Sequence, residues 1–391
     1  MTGTAAPLKR IAELRVDRRR TTPDGMLTLN VVEGRSGRLL TDPWAVPVPP
    51  PEAGVADVAS GDVLFGKLRP YLAKVAHASR PAYASTELLC LRPKPLVDSR
   101  WFFYRMLAHP TVAWAVATSE GTKMPRTSWD RLGEFCVQVP KLDEQRATAD
   151  YLNTETARID SLIAKKRRLM SLLQERRQGI VDETVRAGDE VPVRRLICRL
   201  TSGPRGWAEH VFDAGETPFL RITNISRDDI ELDRENLIRV VSPRNAEATR
   251  TAVRNGDVLV SITADIGSVG IAREEDAGAA VSQHVALLTP RGCEPEWLAY
   301  SIASSFARCQ LDAGQYGGTK TQLSLGDVAN VKILLPSRDE QRRRLVDFRQ
   351  ELGRPKRARA ALRAQLALLR EHRQALITAA VTGELEIPGV G

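Results

Sequence analysis

The chain has few of the residues on which most catalytic and metal chemistry rests. Its 391 residues include five histidines and five cysteines. The histidines, His77, His109, His210, His284 and His372, stand singly, so the clustered spacing of a metal site is missing. The cysteines, Cys90, Cys136, Cys198, Cys293 and Cys309, are odd in number, widely spaced and without a CxxC pair. That pattern argues against a disulfide framework and for reduced, mostly buried thiols in a cytoplasmic protein. There is no HExxH, GxSxG or GxGxxG, and no (D/N)PP(Y/F) loop, so a stand-alone enzyme is disfavoured. The segment Gly314–Thr321, GQYGGTKT, resembles a phosphate loop but misses GxxxxGK[ST], because Thr319 separates the glycine from Lys320. No run of about 18 apolar residues occurs, and the start MTGTAAPLKR lacks an apolar core after its first charges. Neither a membrane span nor a secretory signal is expected.

Positive charge, by contrast, is plentiful. The net charge is +9, with a pI near 9.5, which fits a polyanion partner as well as it fits plain solvated faces. Residues 1–140 carry 19 Lys+Arg against 13 Asp+Glu, and residues 336–391 carry 12 against 7. Residues 141–190 balance at ten each, while residues 191–335 carry 16 against 18. Nucleic-acid binding by that slightly acidic segment would need a local patch.

The chain also repeats itself. GDVLF at Gly61–Phe65 returns as GDVLV at Gly256–Val260, and PKLDEQR at Pro140–Arg146 returns as PSRDEQR at Pro336–Arg342. GTK recurs at Gly121–Lys123 and Gly318–Lys320, and ERRQ at Glu175–Gln178 returns as EHRQ at Glu371–Gln374. The offset stays between 195 and 197 residues, too long for a solenoid and about the size of a domain plus a long helix. Each copy opens with short β-rich runs such as DVLFGKL, ELLCLRP, DVLVSI and HVALLTP, interleaved with helical stretches such as WFFYRMLAHPTVAWAVAT.

After Pro140 the period changes. Apolar or small residues at Ala149, Leu152, Thr156, Ile159, Ile163, Met170, Leu173 and Ile180 follow a coiled-coil seam, and Leu345, Phe348, Leu352, Leu362, Leu366, Leu369 and Leu376 keep the same phase 196 residues on. Pro140 and Pro336 precede the helices, with Asp143 and Asp339 as N-caps or first-turn acids. Pro355 predicts a kink or restart in the second helix. Arg177 and Arg373 fall at seam positions and are expected to pair with Glu across the helices. The fold class is therefore α+β, as a tandem repeat: a globular unit over 1–140, a helix over 141–188, a second unit over 189–336, a helix over 337–383 and a tail over 384–391. Alternation of domain and helix predicts an antiparallel helix pair with pseudo-two-fold symmetry. About 37 residues at 1.5 Å each make a rod of about 55 Å, more than one turn of B-DNA.

Candidate binding residues cluster in two places in the first copy and three in the second. GTKMPRTSWDRL contributes Thr122, Lys123 and Arg126, and GGTKTQLSLGDV contributes Thr319, Lys320, Thr321 and Gln322. Glycine, hydroxyls and a cation suit phosphate and base-edge contacts, and Gln322 could pair with adenine; one such loop alone would pass for a solvated surface loop. In GKLRPYL, a continuing strand would place Lys67, Arg69 and Tyr71 on one face, with Lys74 nearby. A charged edge strand that resists aggregation explains that segment almost as well. The second copy has ITADIGSVG there, contributing Thr263 without cations. Gln283 and His284 precede VALL as Thr86 and Glu87 precede LLCL, and they read equally as base contacts or as a turn.

GDVLFGKLRPYLAK with STELLCLRP, GDVLVSITADIGSVGIA with VSQHVALLTP, the P-x-x-DEQR helix starts and the ends ERRQGI and HRQALITAAVTGEL together resemble the specificity subunits of type I restriction-modification systems, over almost the whole chain. That resemblance implies two target recognition domains, each reading half of a split double-stranded DNA site, with the helical pair as a ruler. It implies two modification subunits, which bind S-adenosylmethionine and methylate adenine, and usually restriction subunits, with no cofactor or catalysis on this chain. The alternatives are the same architecture in a methylation-only or other phage-defence complex, and a coiled-coil adaptor that binds only proteins.

Overall fold

The computed structural model describes residues 3–16, 25–45, 55–204, 215–241, 246–314 and 322–387. They form two compact units, Met1–Lys166 with Arg363–Gly391, and Arg167–Leu362.

In the first unit, β1 (Thr4–Pro7), α1 (Leu8–Ile11), β2 (Ala12–Leu14), β3 (Met26–Leu27), β4 (Val55–Val58), β5 (Val63–Gly66), β6 (Val75–His77), β7 (Ala82–Ser85) and β8 (Leu88–Pro93) precede α2 (Ser99–Leu107), α3 (His109–Ala117), α4 (Trp129–Leu132) and β9 (Cys136–Val139). An antiparallel sheet runs β2-β8-β5-β6, a small mixed sheet runs β3-β7-β4, and β1 pairs with β9. The stretch Trp101–Thr118 is two helices rather than one. Ala108 is extended at ψ 142°; a continuous helix here would leave the Met106 carbonyl without a donor, because Pro110 has no N–H, and would bring the proline ring against that carbonyl. Trp101, Phe102, Phe65 and Leu91 fill the core. The long helix α5 (Leu142–Thr184) begins in this unit, and the long helix α10 (Arg338–Thr382) ends in it. Ala149 and Leu152 from the first, and Ile377, Ala380 and Val381 from the second, complete the same core. The pairs Lys166–Gln365 and Asp160–Arg373 show that these stretches run antiparallel.

In the second unit, β10 (Asp189–Pro192), β11 (Ile197–Ser202), β12 (Thr217–Leu220), β13 (Ile238–Val240), α6 (Ala246–Thr251), β14 (Val258–Ser261), β15 (Val269–Ile271), β16 (Ala280–Val281) and β17 (Val285–Pro290) precede α7 (Pro295–Ala303), α8 (Ser305–Ala313), α9 (Leu325–Asn330) and β18 (Lys332–Leu335). The four-stranded order β11-β17-β14-β15 and the pair β10-β18 repeat the first unit's topology. The three-stranded sheet differs. Both units keep its parallel pair, but the first adds a strand to β7 and the second adds β13 to β12. Trp297, Val258, Val260 and Leu288 pack with Ile180 and Val181 of α5 and with Leu345 and Phe348 of α10.

Two of the recurring words prove structural. Gly61 and Gly256 adopt φ 90° and 82°, the left-handed region that glycine enters cheaply. The next residue, Asp62 or Asp257, is buried and accepts the backbone N–H of Ala59 or Arg254 at 2.8 Å. Arg92 clasps Asp62 through two 2.7 Å bonds, and Arg199 pairs with Asp257. In DEQR, the glutamine is the buried member. Gln145 accepts the Asp98 N–H at 2.8 Å and donates to Pro140 O at 2.8 Å, and Gln341 does the same for Glu294 N–H and Pro336 O at 2.9 Å each.

Helix α10 runs without a break through Pro355, so the expected restart is absent. The missing N–H costs one hydrogen bond, yet the proline ring is buried. The seam arginines also differ from expectation. Arg373 pairs with Asp160 rather than a glutamate, and also donates to Ser36 O at 2.8 Å. Arg177 is buried without a carboxylate partner among the described residues, and desolvation lowers its pKa. The position equivalent to Asp160 is Lys356, which pairs with Asp229 at 2.6 Å.

Candidate nucleic-acid interface

In the first unit the strand expected to run through Lys67, Arg69 and Tyr71 ends at Gly66. Arg69 takes the left-handed conformation at φ 50°, and Pro70, which has no N–H for a ladder, opens a short 3-10 turn over Pro70–Leu72. The three side chains therefore leave a common strand face. Tyr71 stands on the turn, 44% exposed. The ammonium of Lys67 donates to Thr86 O at 2.7 Å, and that of Lys74 to Leu29 O at 2.6 Å.

Long-range backbone bonds bring this turn to the GTK loop. Lys67 N–H donates to Glu87 O at 2.8 Å, Thr127 N–H to Lys67 O at 3.0 Å and Arg69 N–H to Pro125 O at 2.7 Å. Glu120 and Arg126 exchange N–H···O bonds of 2.9 and 2.8 Å, which closes the loop around Gly121 at φ 93°. Thr122 and Lys123 are exposed at its tip, and Lys123 has no hydrogen bond or ion pair among the described residues. Arg126 Nη2 lies 2.8 and 3.1 Å from the two carboxylate oxygens of Glu87. Partial burial pushes the Lys67 ammonium below its ordinary pKa, with Glu87 opposing and Arg126 reinforcing the shift.

The second unit repeats this clip in backbone terms. Ile262 N–H donates to His284 O at 3.1 Å, and Leu323 N–H to Ile262 O at 2.9 Å. Thr263 bridges to Gln322 as Leu68 bridges to Arg126. Ala264 is left-handed at φ 59°, as Arg69 is. Positive φ in a non-glycine residue at the same place in both units marks local strain of the kind concentrated at binding sites. Gln322 and His284 are exposed, while Thr263 and Gln283 are half-buried. Thr319, Lys320 and Thr321 lie outside the described residues.

Sequence reasoning missed two participants. Glu87 holds Arg126, and the signal for it was present, since Glu87 and His284 precede matching strands. Arg227 pairs with Asp265 at 2.5 Å and donates to Ile266 O at 3.0 Å, steadying the loop after β14. No local pattern marks that contact, because 38 residues separate the two side chains.

Among the described residues no group of three or more His, Cys, Asp or Glu could hold a metal ion, and no helix is long and apolar enough to cross a membrane. The site is thus a pair of polar loop clips, each at the ends of the two central strands of a four-stranded sheet. Residues 203–348 match the family described as Type I restriction modification DNA specificity domain. The chain is 24% identical over 292 residues to the type I restriction enzyme EcoBI specificity subunit of Escherichia coli, covering 67% of this chain and 61% of that protein. It is 24% identical over 127 residues to the EcoDI specificity subunit of Escherichia coli, covering 32% of this chain and 28% of that one. The matches thus span less than two thirds of these curated relatives. A chain from a solved type I R-M system, described for its complex assembly and conformational transition, aligns with a TM-score of 0.68 over 98% of both chains at 19% identity. That structure shares the fold. Residues 203–348 therefore match a type I restriction modification DNA specificity domain, and the chain as a whole is similar to type I specificity subunits.

Proposed function

We propose that the chain is a non-catalytic reader of a split double-stranded DNA site, each globular unit reading one half, and that it scaffolds two modification subunits and, where they are encoded, restriction subunits. S-adenosylmethionine would bind to the modification subunits, and the work would take place in the cytoplasm. One observation carries this reading: the same backbone clip occurs twice and presents different side chains. A shared frame that presents Lys67, Glu87 and Arg126 in one copy, and His284 and Gln322 beside a buried Ile262 in the other, suits two different words. Leu162, Leu169 and Leu172, each more than two-fifths exposed on α5, support a role for the helices in holding partner chains.

The test is a band-shift with the chain assembled on its modification subunit. Lys123→Ala is expected to weaken recognition of one half-site and Lys320→Ala of the other, with binding falling steeply as salt rises. Loss of both half-sites from either single change would count against separate readers. A complex with no sequence preference would favour a protein-only adaptor.

A further inference from the structure

Positions 67, 87 and 126 occupy the same places in their clip as 262, 284 and 322 do in theirs. The correspondence follows from hydrogen bonds and not from similarity of side chains. The N–H of 67 or 262 donates to the carbonyl of 87 or 284, and the carbonyl of 67 or 262 accepts from 127 or 323. Residue 126 or 322 is bridged to 68 or 263. The frame is common, and all three side chains change.

We infer that positions 87 and 126, and likewise 284 and 322, form one readout pair per unit, in which Glu87 is a positioning residue that aims Arg126 at a guanine edge, whereas His284 and Gln322, with Ile262 buried in the core, suit an adenine edge. This rests on the reading that each unit binds half of a DNA site. Arg126 is fixed at its backbone by the exchanged pair with Glu120, and at one terminal nitrogen by Glu87. Its side chain is still 53% exposed, which leaves the other guanidinium N–H groups facing water. A planar donor fork held on one side and open on the other fits the O6 and N7 acceptors of guanine, and less side-chain freedom is left to lose on binding. Glu87 itself is flanked by two cations, Arg126 and the Lys67 ammonium. Its charge is therefore offset and does not repel phosphates. In the second unit Arg227, between β12 and β13, is committed to Asp265 and the Ile266 carbonyl on the loop after β14. Gln322 is exposed with its backbone pinned, and its amide offers the donor and acceptor that match adenine N7 and N6.

The full chain, assembled with its modification subunit, is tested on duplexes carrying its mapped site, with each guanine in turn replaced by 7-deazaguanine, which lacks the N7 acceptor. Wild type is expected to lose about tenfold or more in affinity at one guanine of the half-site that Arg126→Lys weakens. Glu87→Gln is expected to weaken the same half-site and to be insensitive to the analogue at that guanine. Glu87→Asp should restore part of the sensitivity, and the other half-site should be unchanged throughout. If Glu87→Gln does not fold, Arg126→Lys, which keeps the charge but loses the fork, gives the same comparison. Wild-type sensitivity to the analogue at every guanine in both variants would overturn the inference, as would an affected half-site without guanine. Wild type with no sequence preference would instead overturn the DNA-reading proposal beneath it.

Discussion

Replacing Gln145 with alanine tests whether the recurring DEQR word is structural. The side chain is 1% exposed, accepts the Asp98 N–H at 2.8 Å and donates to the carbonyls of Pro140 at 2.8 Å and Leu96 at 3.3 Å. Truncation strands one buried donor and two acceptors, each worth roughly 1–3 kcal/mol when left unpaired. The weakest of the three is the 3.3 Å bond, and water entering the gap recovers part of the loss, so a net cost of about 2–4 kcal/mol is expected. Two units in one chain make a single unfolding free energy ill-defined, so local hydrogen exchange is the better assay. Amides around Asp98–Trp101 and at the start of α5 should exchange about 30- to 1000-fold faster, at one tenfold step per 1.4 kcal/mol. Equivalent amides around Glu294 should be untouched, while Gln341→Ala should reverse the pattern. Acceleration below about fivefold, or acceleration spread over the whole chain, would refute the claim that this amide ties the helix start to its domain.

Asp62→Ala removes a buried carboxylate clasped by Arg92, and is expected to destabilise the first unit by about 3 kcal/mol, the low end for a broken buried pair because Arg92 keeps 38% exposure; hydrogen exchange at the β5 and β8 amides, compared with that at β14 and β17, checks it. Pro355→Ala restores one helix hydrogen bond in α10 and relieves a cost of roughly 3 kcal/mol, offset by about 1–2 kcal/mol of lost burial, so α10 amides near Glu351 should gain about tenfold protection. Burial favours the neutral amine of Lys67, so its charge is lost before pH reaches the ordinary 10.5. Affinity for the first unit's half-site should therefore fall on the alkaline side before that of a Lys67→Arg variant does. In Glu87→Gln, which lacks the opposing carboxylate, the fall should begin at lower pH.

The helices were the most legible part of the sequence. Their seam period survives any local detail, and Ala149, Leu152, Ile163, Leu345, Phe348, Leu362 and Leu366 are all buried as the spacing requires. The doubled α+β units were legible too, because GDVL and DEQR recur at one offset. What those words do was not legible, since the left-handed Gly61 and the inward-turned Gln145 are set by tertiary partners. The clip was hidden for the same reason. Leu68 meets Arg126 across 58 residues, and no local pattern reports such a pairing. The strand through Tyr71 was misjudged because alternation of side chains looks the same whether or not Arg69 turns left-handed. Continuity through Pro355 reflects packing of the buried ring overriding a local preference.

The central claim, two words read by one doubled frame, is tested most directly by long-read mapping of adenine methylation in cells that express the chain with its modification subunit. A split motif with an unread gap of constant length is expected, and Arg126→Lys and Gln322→Ala should each alter only one of its halves. A continuous motif, or the same change in both halves from either substitution, would contradict it.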